Sequence, residues 1–249
     1  MTLWESCRGP DHLGPLAGTL HRMVESQARI ATLDYVDTLA EQALLEDLLE
    51  TVKPPLPAGS GQLHYLLKTP FRYPPLPWGS RFGRRHEPAL CYGGCRIETT
   101  LAEVAYYRCV FWQSMAGAPP ADSIRTQHSS FAVRYRTDAG IALQREPFAR
   151  YAGAIAHRAD YTATQALGSA MRAAGVAAFE YPSARDPHRG TCVGLFTPAA
   201  FAERKPRAIR EWLCEVSATA VAFKPVDTAE VARFTLDAFL VAGSLPRPA

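Results

Sequence analysis

The sequence predicts an α+β fold, with N-terminal helices followed by a mixed, mostly antiparallel sheet core. Three observations predict it. Apolar residues between 16 and 52 recur at mixed three- and four-residue steps, short apolar or alternating runs follow from residue 89 onward, and 20 prolines suit a loop-rich fold better than a helical bundle.

In residues 16–52, Leu20, Met23, Ala28, Leu33, Val36, Leu39, Leu44, Leu48 and Leu49 mark an apolar helical stripe with acids and glutamines between them. Asp34 or Asp37 breaks this into two helices. Lys53-Pro54-Pro55 ends it, because proline lacks the amide donor and disfavours helix in the residue before it. Residues 54–61 read as a linker, which gives an N-terminal helical segment at 1–62 and a second part at 63–249, packed as one unit. Residues 89–92 are a short strand closed by Gly93-Gly94, and 99–111 a helix. Residues 129–135 alternate as a strand, and Asp138-Ala139-Gly140 offers a hairpin turn. Asp160 caps a helix over 161–174, with Gly175 where a C-terminal glycine belongs. Strands follow at 176–181, 191–196 and within 212–224. Residues 234–240 close the core before a disordered tail at 246–248.

A chain of 249 residues with 47% hydrophobic and 20% charged residues has the composition of an ordinary globular protein. A net charge of +3 argues against a dedicated nucleic-acid binder. No apolar run reaches the roughly 18 residues of a membrane span. The N-terminus lacks the pattern of a secretory signal. Six scattered cysteines (Cys7, Cys91, Cys95, Cys109, Cys192, Cys214) suggest reduced thiols and a cytoplasmic location. Cys91-x3-Cys95 has no second close Cys/His pair to complete a zinc shell, so no metal is expected. His86, His157 and His188 lack the spacing of a base or metal site.

The chemistry concentrates in residues 71–108. Arg72 and Arg81 suit phosphate oxygens, Tyr73 and Tyr92 suit flat heterocycles, and Glu103 suits a sugar hydroxyl or a developing cation. Each also has a plain reading. Thr100-x-x-Glu103 has the spacing of a capping box, in which Glu103 would serve the helix start. Arg81 could be solvated like Arg84 and Arg85, although Gly79 and Gly83 beside it permit close approach of a ligand. The tyrosines, with Tyr106 and Tyr107, could be packing residues. Ser183 could be a turn residue, and it has no Gly-x-Ser-x-Gly elbow around it. Neither a Gly-x-Gly-x-x-Gly turn nor a Gly-Lys-Ser/Thr phosphate loop is present.

Five elements occur in order: Phe71-Arg72-Tyr73, Gly79-Ser80-Arg81-Phe82-Gly83, Leu90-x-Tyr92-Gly93, Thr100-Leu101-Ala102-Glu103 and Tyr181-Pro182-Ser183-Ala184-Arg185. Their series resembles the RES-domain family, named for a recurring Arg, Glu and Ser, here Arg81, Glu103 and Ser183. The resemblance covers residues 63–201 and implies a toxin of a bacterial toxin–antitoxin pair with a fold similar to ADP-ribosyltransferase toxins. It implies NAD as substrate, with nicotinamide released and ADP-ribose passed to phosphate, water or a protein. Arg81, Glu103 and Ser183 would be catalytic, while Arg72, Tyr73, Tyr92 and Arg185 would bind the nucleotide. Thr191-Cys192 departs from the family, where an Asn follows the Ser loop. The implied partner is a helix-turn-helix antitoxin that blocks the pocket, in a homodimer or a toxin–antitoxin hetero-oligomer. The alternatives are a mono-ADP-ribosyltransferase with one specific target, or a non-catalytic antitoxin-binding protein that retains the fold.

Overall fold

One long strand, β3, organises the sheet in the computed structural model, which describes residues 2–26, 35–119 and 121–247. The described helices are α1 (Leu3–Ser6), α2 (Leu39–Val52), α3 (Tyr65–Lys68), α4 (Ile97–Gln113), α5 (Ala152–Ile155) and α6 (Thr162–Ala173). The strands are β1 (Gly14–Glu25), β2 (Cys91–Gly94), β3 (Ser123–Ala142), β4 (Ala178–Pro182), β5 (Thr191–Leu195), β6 (Arg207–Ser217), β7 (Ala220–Pro225) and β8 (Ala232–Thr235).

One edge of β3 pairs antiparallel with β1. The other takes β6 antiparallel along its first half and β4 parallel at residues 140–142. His21 of β1 also pairs with Gly94 of β2, β2 pairs with β5, and β5 with β4. The strands β3-β1-β2-β5-β4 therefore close into a ring, and β6-β7-β8 extends from β3 as an antiparallel meander. Closure removes free edges that would otherwise expose unpaired amides. Apart from β3–β4, every pairing is antiparallel, as expected.

The helical expectation for residues 16–25 is overturned, because they form most of β1. The cause lies in burial on two faces. Leu20 joins one core cluster with Phe131, Val133 and Val193, while Met23 joins another with Leu101, Ala105 and Trp212. An odd spacing puts two strand residues on opposite faces, and in sequence that three-residue step imitates a helix. The segment 1–62 thus contributes a central strand as well as α1 and α2. Residues 27–34, including the expected break at Asp34, lie outside the described residues. α2 starts at a capping box between Thr38 and Glu41 and stops at Lys53 before the two prolines.

Further on, 138–140 make no hairpin, since β3 runs through them. Asp160 does serve the start of α6, its Oδ1 accepting the Thr162 amide at 2.8 Å. Gly175, at φ +77°, ends the helix with its amide on Arg172 O and that of Val176 on Met171 O. The expected tail is docked through residue 246: Leu245 is buried and Pro246 O accepts the Tyr106 hydroxyl at 2.5 Å. Pro248 lies outside the described residues.

α6 presses against the loop that carries Arg81. A Cβ on Gly168 would stand 2.0 Å from the Phe82 carbonyl oxygen. Gly168→Ala is therefore expected to cost about 1–3 kcal/mol of stability, as overpacking against backbone does. A urea unfolding curve measures it, and an unchanged midpoint would show that this contact yields freely.

Candidate active site

Two adjoining cavities, of about 450 and 500 Å³, open between β1, β2, α4 and the 71–92 segment. Both fall within the range of about 300–1,000 Å³ usual for small-molecule sites. Arg22, Ser80, Tyr92, Tyr107 and Tyr161 belong to the walls of both. The smaller adds Arg81, Glu103, Tyr181 and Cys192, and the larger adds Tyr73, Trp78 and prolines 70, 74 and 75.

The plain reading of Glu103 does not hold. α4 begins at Ile97 with Arg96 as its cap, so Thr100 is already inside the helix. Its hydroxyl bonds His21 O and Arg96 O at 3.0 Å and accepts the Gly94 amide at 3.2 Å, fixing α4 to the β1–β2 junction. Glu103 is thereby released from capping and faces the smaller cavity. Its Oε1 accepts the Ser183 hydroxyl at 2.5 Å.

Ser183 lies in the turn after β4, where its Oγ accepts the Arg185 amide at 3.1 Å and the Asp186 amide at 2.9 Å. With its acceptor capacity filled, its one proton goes to Glu103. Asp186 ties this turn to α4: one carboxylate oxygen accepts the Thr99 hydroxyl at 2.8 Å and the other accepts the His188 amide at 2.9 Å. Cys192 is the next neighbour of Glu103, with Sγ at 3.7 Å from the same oxygen. Burial, and then the nearby Glu103 carboxylate, raise its thiol well above the usual range, so it is a weak donor and no nucleophile.

Arg81 is buried. Its Nη1 donates to His157 O at 2.7 Å and to Ile155 O at 3.3 Å, and its Nη2 reaches the Tyr161 hydroxyl at 3.3 Å. Tyr92 crosses the junction of the cavities. Its hydroxyl accepts the Phe82 amide at 3.0 Å and bonds Ser80 Oγ at 2.9 Å, which locks the Arg81 loop onto β2.

Of the residues expected from sequence, Arg81, Tyr92 and Glu103 meet at the smaller cavity, with Ser183 directly behind Glu103. Tyr73 stands in the larger cavity, 43% exposed. Two of the expected residues lie away from both cavities. Arg72 lines neither cavity, because its guanidinium is committed to Glu50 at 2.7 Å and to Pro54 O at 2.6 Å. Arg185 also lines neither. It is fully buried, stacked 3.5 Å from the centroid of Tyr106, and donates to Arg158 O at 2.7 Å.

Sequence reasoning missed Arg22, Tyr107, Tyr161 and Tyr181. Arg22 was hidden inside the segment read as helix. Its Nη1 donates to Tyr92 O at 2.6 Å, and its buried Nε has no hydrogen-bond partner among the described residues. Arg22 lines both cavities, and a guanidinium there suits an anionic ligand. Tyr107 resembled packing, yet it is half exposed and lines both cavities. Tyr181 stands within the Tyr-Pro-Ser run and could have been taken with Ser183. All six cysteines are free. Among the described residues, no three His, Cys, Asp or Glu side chains gather as metal ligands, and no helix is long and apolar enough to cross a membrane.

Comparison with protein families matches residues 57–217 to the RES domain. The match spans more than half of the chain, and the chain belongs to the RES-domain family, whose domain is NAD-related and associated with toxins. β1, and with it Arg22, lies outside the matched span. No curated protein matches the chain.

The buried tyrosines give a pH expectation. Burial pushes the Tyr92 phenol up to about 12 and that of Tyr181 well above its usual value. The folded state therefore keeps protons that unfolded tyrosines release near about 10. This stabilisation is complete below that pH and is lost as pH rises toward 12. Urea midpoints measured from pH 9 to 11.5 should fall less steeply for Tyr92→Phe than for the parent. Parallel curves would mean that Tyr92 ionises freely in the fold.

Proposed function

We propose that this protein uses NAD as a substrate, breaking the bond between nicotinamide and ribose and passing ADP-ribose to phosphate, water or a protein side chain. The observation that carries the reading is the Glu103 carboxylate, held by Ser183 at the wall of a tyrosine-lined cavity that also contains Arg22 and Arg81. RES-domain membership supports the same substrate.

The nicotinamide ring of NAD is a pyridinium. When its bond to the ribose breaks, the electron pair stays on the ring nitrogen and neutral nicotinamide leaves. No proton is needed by the leaving group. What the step needs is stabilisation of the positive charge that develops on the ribose, and a fixed carboxylate supplies this, as in glycosidases. Ser183 orients Glu103 rather than attacking, since its hydroxyl proton is committed to that carboxylate and its oxygen to two amides. Arg22 takes the pyrophosphate-binding role that the sequence assigned to Arg72. Tyr92 and Tyr107 provide flat walls for the rings. An antitoxin partner would silence the protein by covering the cleft.

Nicotinamide release followed by chromatography tests this reading. Glu103→Gln keeps the shape and removes the charge, and should slow release by about 100-fold or more. Arg22→Ala should raise KM for NAD, whereas Arg72→Ala should leave both constants near the parent's. Release by Glu103→Gln at the parent's rate would remove the assigned role of the carboxylate.

A further inference from the structure

Tyr161 immediately precedes α6 and is 2% exposed, yet it lines both cavities. Its phenolic oxygen receives long hydrogen bonds from two guanidiniums, Arg81 Nη2 at 3.3 Å and Arg185 Nη2 at 3.4 Å. The Arg81 guanidinium also lies 4.3 Å from the ring centroid. A phenolic oxygen that accepts two bonds still has one O–H to donate. No described residue accepts it, and the cavity is the space left to it.

Neither arginine is in a contact ion pair, and the one carboxylate that bears on Arg81 from the cavity wall, Glu103, offsets only part of the charge of the two. Arg81 Nη1 is used by two backbone carbonyls, and Arg185 Nη2 by a third. Arg185 Nη1 is buried without a partner, and among the described residues neither guanidinium makes an ion pair. Two buried cations converging on one neutral oxygen leave a local excess of positive charge. Burial of charge is costly until an opposite charge completes the arrangement.

We propose that Tyr161 passes this positive charge to the substrate, its O–H donating to an anionic phosphate oxygen of the nucleotide while Arg81 and Arg185 act through it from behind. A donor polarised by cationic neighbours makes a stronger bond to an anion than an isolated phenol does. Arg185, which lines neither cavity, can in this way still bear on ligand binding, and Arg81 acts through the same hydroxyl from the cavity wall. The inference rests on the NAD reading above, and it adds a ligand contact on an element from which the sequence had drawn none.

Tyr161→Phe keeps the ring and the cation contact and removes only the hydroxyl. Calorimetric titration with ADP-ribose should show binding weakened by about tenfold or more, the size of a hydrogen bond to a charged group. Nicotinamide riboside contains the same glycosidic bond but no phosphate, and its cleavage should be equally fast in parent and variant. Equal ADP-ribose affinity in the two proteins would overturn the proposal. So would an equal loss on the riboside, which would assign Tyr161 to holding the 155–161 segment. If the parent binds ADP-ribose through Tyr161 but releases no nicotinamide from NAD, the enzymatic reading fails and the phosphate contact stands.

Discussion

The hydrogen bond from Ser183 to Glu103 joins two parts of the chain that the β2-β5-β4 pairing brings side by side, since α4 follows directly on β2 and Ser183 on β4. Glu103 rides on α4, whose place is fixed by Thr100 at the single point where β1 meets β2. Ser183 leaves the end of β4, whose neighbours in the ring are β3 and β5. Asp186 then clamps the serine turn to Thr99, one turn of helix before Glu103. A carboxylate held in this way has few alternative positions, and a fixed charge is worth more to a developing cation than one that must reorganise.

Around that bond the charges are arranged unevenly. One carboxylate, Glu103, faces the smaller cavity, against Arg22, Arg81 and Arg108 in its walls and Arg185 behind them. Arg22, Arg81 and Arg185 donate to backbone carbonyls, which hold a cation in place without cancelling its charge, whereas Arg108 pairs with Glu25. The aromatic and partly buried walls lower the local dielectric, so this charge acts more strongly on whatever enters than it would in open water. Such a site favours a ligand with an anionic section and a cationic reacting centre, and NAD contains both.

Much of this was legible in the sequence where local chemistry and tertiary role agree. The helix at 99–111, the ends of α2 and α6, and the strands from residue 176 onward follow from proline, glycine and alternation. The order of the Arg81, Tyr92, Glu103 and Ser183 motifs pointed to one site, and the fold gathers those four. Failure came where pairing partners distant in the chain decide the outcome. β1 buries Leu20 and Met23 on opposite faces, which single-chain periodicity cannot distinguish from a helix, and Arg22 was lost with it. Arg72 and Arg185 have the residue type of phosphate ligands, but Glu50, Pro54 and Tyr106 claim them, and none of those contacts is local. Glu103 shows the converse. Its capping-box spacing was sound locally, but α4 is capped one turn earlier, at Arg96.

The central claim is that this cavity breaks the nicotinamide–ribose bond, and mass spectrometry of the products formed from NAD tests it most directly. The account predicts free nicotinamide together with a product in which the ADP-ribose moiety, pyrophosphate included, is intact. Cleavage at the pyrophosphate, giving AMP and nicotinamide mononucleotide, would contradict it, as would NAD left unchanged with phosphate, water and protein acceptors all supplied.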